Sequence, residues 1–294
     1  MSEEVKSFLS SNGKVSIICA NTTTLVEEIR KLHDLTPTTT AVMGRFATIS
    51  GIMGFTSIKE DDDKLTIQIR GGGPVGTIVS VVTRNGATSK IKAYLSNPHV
   101  ELPLKENGKI DVGGAVGRNG FLNIIKKNEM VNEGYNGLVP LVSGEIAEDF
   151  TEYFAKSEQK PTVLALGVLV DKDGVRASGG YIINLMPDVT EEDISKIENA
   201  LKVAPSISKM LSDNMSLEEI AKTVTGDENL VLLEDDLKIV FECDCNKETF
   251  ENGLISLGKK EIKDLIEKDG EADIVCHFCN KKYHFTKEEL EKLL

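Results

Sequence analysis

Tryptophan is absent from this 294-residue chain, and cysteine occurs only five times, at Cys19, Cys243, Cys245, Cys276 and Cys279. Positive charge is scarce too: 34 Lys and Arg stand against 47 Asp and Glu, a formal net charge of -13. A surface of that sign repels phosphate backbones, which argues against nucleic acid as a partner of the whole chain. The longest apolar run, VLALGVLV at 163–170, falls far short of the roughly eighteen residues that a spanning helix needs. A soluble protein with no membrane partner is therefore expected. The opening stretch MSEEVKSFLSSNGK carries acids where an export signal has a basic start and an apolar segment, so a cytoplasmic location is expected as well. No Gly/Ser linker and no internal repeat is visible, which excludes a repeat array or two beads on a flexible string.

At about 150 residues per domain, the length implies two domains, or one large domain with an appendage. The stretch KVSIICAN at 14–21 reads as a strand, and TTTLVEEIRKLHD then sets Leu25, Ile29 and Leu32 on one helical face. A second helix is expected from Pro37 to about Phe55. Its Gly44, Gly51 and Gly54 cost helix propensity, which points to a core helix against which another backbone packs closely. Strands at 64–70, 75–83 and 89–95 are separated by GGGP and by RNG, where Asn85-Gly86 is a hairpin signal. Further strands are expected at 121–127 and 136–142, then a helix with Ile146, Phe150 and Phe154 at one-turn spacing. A hairpin over 162–185 turns at DKDG.

Residues 1–187 thus read as an α/β-mixed core domain with a largely antiparallel sheet. Residues 188–232 read as an all-helical linker of three short helices, two of them opened by capping boxes, Thr190 with Asp193 and Ser216 with Glu219. Helices this short are unstable alone, so Ile194, Ile197, Leu201, Ile207, Met210, Leu211 and Ile220 must lean on another surface. Residues 233–294 read as a small C-terminal domain that carries four of the five cysteines. The fold class expected is α+β.

Most of the motifs in the first half dissolve on inspection. Gly71, Gly73 and Gly76 spell a GxGxxG, but Pro74 sits inside it and the β-branched TIVSVVT follows, where a dinucleotide site needs a helix. A turn between strands is the better reading, and GGAVGRNG at 113–120 reads as a loop with positive-φ positions. His33 and His99 read as surface or capping residues. Ser157 and Glu158 have no histidine partner in sequence, so no hydrolase triad is supported. Cys19, in an apolar strand, reads as an inert buried thiol. With no catalytic signature left, an enzyme is not expected.

The four remaining cysteines form two tight pairs, Cys243-x-Cys245 and Cys276-x-x-Cys279. In a reducing compartment clustered thiols point to metal binding, catalysis or redox sensing. Zinc takes four thiolates in a tetrahedron, and two short-spaced pairs supply them. Asp244 adds negative charge between the first two sulfurs. His277 and His284 could replace a sulfur, but four thiolates already complete the shell, which leaves them as outer-shell or surface residues. The segment has a small core, so a zinc ion binding with about 10–16 kcal/mol would supply much of its folding energy. Zinc also keeps the sulfurs as thiolates, the species that peroxide and hypochlorous acid attack, and each sulfur has a neighbour to trap the resulting sulfenic acid. The same four cysteines serve equally well as a purely structural staple.

Taken together, the CxC and CxxC pairs about thirty residues apart, GGGPVG at 71–76, YLSNPHVELP at 94–103, YNGLVPLVSGEIAEDFTEYFAKSEQKPT at 135–162 and SGGYIINLMP at 178–187 resemble the heat-shock protein 33 family (33 kDa chaperonin). The likeness covers essentially the whole chain; one departure is Lys92-Ala93 before Tyr94, where the family often has Arg-Gly.

The resemblance implies a redox-regulated, ATP-independent holdase that binds unfolding or oxidatively damaged proteins. In the reduced state Cys243, Cys245, Cys276 and Cys279 would hold one Zn2+ per chain and the chaperone would be inactive. Under oxidative stress, often with heat, Cys243 would pair with Cys245 and Cys276 with Cys279, zinc would leave, and the zinc domain and the 188–232 linker would unfold. A homodimeric active form and client transfer to an Hsp70-type foldase system are also implied. Two alternatives from other classes are a constitutive zinc-stabilised binding protein without a switch, and an enzyme using the sheet domain with the zinc ribbon as a lid.

Overall fold

A computed structural model describes residues 4–60, 63–128 and 134–294. The chain falls into two compact units, one ending at Phe241 and one running Glu242–Leu294. The first unit contains, in order, β1 (Glu4–Leu9), β2 (Val15–Asn21), α1 (Thr23–His33), α2 (Pro37–Thr56), β3 (Asp63–Arg70), β4 (Thr77–Asn85), β5 (Thr88–Leu95), α3 (Val112–Val116), β6 (Phe121–Asn128), β7 (Gly134–Pro140), α4 (Ala147–Lys156), β8 (Thr162–Asp171), β9 (Gly174–Leu185), α5 (Glu191–Val203), α6 (Ile207–Ser212), α7 (Leu217–Thr225) and β10 (Val231–Phe241). Its ten strands form one sheet in the order β7-β6-β3-β4-β5-β10-β1-β2-β9-β8. Every neighbouring pair is antiparallel except β10 with β5. With helices packed on this sheet, the class is α+β.

The core is organised around α2, which is buried over nearly its whole length. Thr36 caps its start by accepting from the Thr39 amide, and Pro37 occupies the first helical turn, where a missing N–H costs nothing. The glycines of α2 admit close neighbours, as expected, but these are side chains rather than a backbone. A Cβ at Gly51 would overlap the Ile239 side chain of β10.

The β1-β2-β9 end of the sheet is covered on both faces. Ile18, Ala20 and Ile182 join the main core with α1 and α2. On the opposite face Phe8, Ile17, Cys19, Tyr181 and Ile183 pack beneath Ile197, Ile207, Met210, Leu211, Ile220 and Val224 of α5, α6 and α7. The short helices therefore lean on the sheet. Both expected capping boxes form: Thr190 and Asp193 exchange backbone-to-side-chain bonds at 3.1 and 3.3 Å, and Ser216 and Glu219 at 2.8 and 3.2 Å.

Two strands differ from the sequence reading. Glu4–Leu9 is a strand paired along β2. Val231–Phe241, assigned in sequence largely to the cysteine-bearing segment, is an inner strand of the large sheet, with Leu237 and Ile239 only 2% and 1% exposed. Glu234, Asp235 and Asp236 interrupt its apolar pattern and hide the strand in the sequence. The Gly71–Gly76 stretch is a loop between β3 and β4 with no helix after it, and the Gly73 amide donates to the Val116 carbonyl at 2.9 Å. The 113–120 stretch holds the short α3, capped by Asp111, before it turns at Gly117 with φ 78°. No helix among the described residues is long and apolar enough to cross a membrane.

The second unit contains α8 (Lys247–Leu257), α9 (Lys259–Lys268), the two-stranded β11 (Ala272–Val275) and β12 (Lys282–Phe285), and α10 (Lys287–Glu291). Its small core consists of Leu254, Ile262, Cys276, Tyr283, Phe285 and Leu290.

Candidate metal centre

Cys243 and Cys245 lie in the extended stretch before α8, which is held in place when the Asn246 side chain accepts from the Thr249 amide at 2.8 Å. Cys276 and Cys279 occupy the turn of the β11-β12 hairpin. The ladder continues through the Cys276 amide to the Lys281 carbonyl at 3.0 Å. The turn closes through the Asn280 amide to the Cys276 carbonyl at 2.8 Å, with Asn280 left-handed at φ 56°. Asn tolerates that conformation better than most residues. Hairpin and preceding stretch thus bring both pairs together.

The four Sγ atoms all lie within 4.8 Å of one another. Cys243 and Cys276 are 3.8 Å apart and Cys245 and Cys279 3.3 Å. A tetrahedron with metal–sulfur bonds of about 2.3 Å has sulfur–sulfur edges of about 3.8 Å. The spacing fits that cage, so these residues could hold one metal ion, and an all-sulfur donor set suits zinc among the common divalent ions. Neither His277 nor His284 belongs to the cluster. His284 is instead turned to Asp273, Nδ1 to Oδ1 at 2.8 Å, and that hydrogen bond raises its pKa.

Burial pushes the Cys243 and Cys279 thiols up. Burial acts on Cys245 in the same direction, but its contacts with the Tyr283 hydroxyl and the neighbouring thiols outweigh it and lower that thiol. Sulfurs this close cannot all ionise on their own, because each thiolate disfavours the next. A divalent cation removes the conflict. Around the sulfurs, Phe250 lies against Tyr283 with ring centroids 4.8 Å apart, and Lys247 reaches Glu289 at 2.5 Å while lying over the Phe285 ring.

The other residues weighed in sequence lie outside this site. Cys19 is fully buried in the first unit, where burial raises its thiol pKa. His99 is exposed, 3.9 Å from Asp34. The Ser157 carbonyl accepts from the Tyr135 hydroxyl, and Glu158 is held by Lys126, Lys160 and Tyr153 with no histidine among them. Sequence reasoning missed Tyr283, since nothing in KKYHF marks it as a partner of a cysteine.

Comparison with known proteins agrees with this architecture. A family model described as Hsp33 protein matches residues 3–286. The 33 kDa chaperonin of Clostridioides difficile (strain 630) is 46% identical over 286 residues, 97% of this chain and 96% of that protein. The 33 kDa chaperonin of Bacillus subtilis (strain 168) is 45% identical over 97% of this chain and 96% of its own length. The crystal structure of the 33 kDa chaperonin from Thermotoga maritima superposes with a TM-score of 0.90 at 35% identity, covering 100% of this chain and 98% of that one.

Proposed function

Because the chain belongs to the Hsp33 family, a family of chaperones, we propose that it is an ATP-independent holdase switched on by oxidation of its four clustered cysteines. The observation that carries this reading is the convergence of Cys243, Cys245, Cys276 and Cys279 within 4.8 Å in a unit with a six-residue buried core. One zinc ion, when bound in the reduced state, cross-links the two cysteine pairs and keeps the sulfurs as thiolates. Tyr283 orients Cys245, and the hairpin fixes Cys276 and Cys279.

Oxidation then uses the same proximity. A thiolate attacks peroxide, the O–O bond breaks and hydroxide leaves, so that the sulfur becomes a sulfenic acid. The neighbouring thiolate attacks that sulfur, forms the S–S bond and expels a second hydroxide, so each disulfide reduces one peroxide by two electrons. The pairing proposed is Cys243 with Cys245 and Cys276 with Cys279. A disulfide offers no thiolate, so the set can no longer hold the ion, and the second unit loses its main support.

The 188–232 helices, which run through α7 into β10 and then into Cys243, are the next part to yield. Each is short, and their stability comes from the apolar face they share with the sheet. Their release uncovers that face for unfolding clients. A dimeric active form and transfer of clients to an Hsp70-type foldase complete the proposal, with a cytoplasmic location.

The test is to measure bound zinc and suppression of light scattering by a heat-denaturing client on one sample, before oxidation, after peroxide at elevated temperature, and after dithiothreitol. Zinc loss with a reversible gain of suppression is the expected result. Zinc loss with no gain would leave the cysteines as the staple of a constitutive binding protein.

A further inference from the structure

The first unit holds a cavity of about 650 Å³ at one end of the sheet, unrelated to the cysteines. Its floor is made by two cross-strand pairs, Ser7 with Ile18 and Ser16 with Asn184, and Phe154 forms part of its wall. Alternation along β2 and β9 puts Ser16, Ile18 and Ala20 on one face with Ile182 and Asn184. Ile18, Ala20 and Ile182 are covered by the main core. Ser16 and Asn184 continue the same face where the cavity replaces the covering helix.

Among the described residues, the Thr56 hydroxyl, which lines this cavity at the end of α2, is buried and has no hydrogen-bond partner. A buried hydroxyl without a partner costs about 1–3 kcal/mol, and an occupant with amide groups would relieve that cost. Charge narrows the occupant further. The chain has 47 acidic residues, but no acid lines this cavity among the described residues. Its one cation, Lys160, is already paired with Glu158 at 2.9 Å. The remaining wall is mostly apolar, with Pro161, Leu185, Met186 and Pro187 beside Thr56 and Gln159, and methionine adapts to varied shapes. An uncharged ligand with an apolar body and amide groups meets all of these features.

We infer that this cavity is a preformed seat for one large apolar side chain and its adjoining peptide amides from an unfolding protein. This inference rests on the holdase reading and locates a first anchor for the client. The seat is open while the four cysteines are reduced, so it gives weak recognition before activation, and the surface uncovered by oxidation adds to it within one complex.

The probe is a fluorescein-labelled, end-capped neutral peptide with a central Leu-Phe-Leu, titrated by anisotropy into the intact, reduced, zinc-bound protein. Two variants are compared: Ser16→Phe, which fills the cavity, and Gln159→Trp, which narrows its mouth on an exposed loop and keeps the test available if the first does not fold. Both are checked for zinc content and thermal midpoint. The expected result is saturable binding to the wild type, at least about tenfold weaker in each folded variant, as befits the loss of one buried side chain.

Absence of binding to the wild type, or equal binding by the folded variants, overturns the seat. So does displacement of the peptide by decanoate at lower concentration than by unlabelled peptide, which would make this a lipid site. Aggregation suppression by the oxidised wild type is measured in parallel. Suppression without peptide binding removes the seat and leaves the holdase standing, and peptide binding without suppression does the reverse.

Discussion

The Tyr283 hydroxyl donates to the Cys245 carbonyl oxygen at 2.8 Å and lies 3.2 Å from the Cys245 sulfur. One side chain on β12 thus fixes both the backbone and the sulfur of a cysteine 38 residues earlier. Groups that orient a metal ligand from outside the coordination shell typically change affinity by about 10–100-fold when removed. Tyr283→Phe keeps the ring that packs on Phe250 and deletes only the hydroxyl. The expected outcome is a folded protein that binds zinc about tenfold more weakly in competition with a calibrated chelator. An unchanged affinity would show that the hydroxyl merely neighbours the sulfur.

Stripping the metal tests how far the second unit depends on it. Its buried core holds only six residues, one of them Cys276, and structural zinc contributes about 10–16 kcal/mol in comparable small sites. Incubation of the reduced protein with a strong chelator is expected to abolish hydrogen-exchange protection across 242–294. The β3, β4 and β5 amides of the first unit stay protected, because their ladders and core do not draw on the cysteines. Protection that survives in α8 and α9 would mean the unit folds without metal.

These features were unequally legible in the sequence. The cysteine pairs and the capping boxes could be read because their members are spaced by a turn or less, so local geometry alone brings them together. The sheet meander was visible for the same reason at Asn85-Gly86. The strand at Val231–Phe241 was not, because Glu234, Asp235 and Asp236 fall in succession and mask the alternation that Leu237 and Ile239 resume. The cavity was invisible in principle: Ser7, Ser16, Phe154 and Asn184 meet only through strand register and helix packing, which no local pattern encodes. The glycines of α2 signalled close approach correctly, but side chains approach them where the sequence pointed to a backbone.

Cys19 offers a reporter for the short helices. It is fully buried in the same cluster as Met210, Leu211 and Ile220, and burial raises its pKa, so it should resist alkylation while α6 and α7 are docked. Oxidation that pairs the other four cysteines leaves Cys19 as the one free thiol, and release of the helices is expected to make it react with maleimide. Gly167→Ala tests the docking without touching the cysteines. A Cβ there would stand 2.8 Å from Ile207 Cγ2 and 3.0 Å from the Ser208 amide nitrogen, an overlap that typically costs about 1–3 kcal/mol. In the reduced protein that variant is expected to label at Cys19 at least about fivefold faster than wild type, read by peptide mass spectrometry. Persistent protection of Cys19 in the oxidised protein would rule out helix release.

Glu27 sets a limit on stability in acid. Its carboxylate accepts from the Arg30 guanidinium at 2.7 and 2.8 Å and from the Val175 amide at 3.0 Å, which ties α1 to the start of β9. The Arg30 hydrogen bond is the largest influence, burial opposes it, and the Val175 and Lys31 bonds add to it, so the pKa falls from 4.5 to about 2. A pKa lowered by folding means that the carboxylate stabilises the native state fully above the unfolded value of 4.5, and that this contribution fades as pH drops through about 2. Glu27→Gln keeps the shape and removes the charge. It is expected to lower stability by about 1 kcal/mol at neutral pH and to flatten the dependence of the urea midpoint on pH between 4.5 and 2. A variant whose acid limb matches the wild type would show that other carboxylates govern that limb.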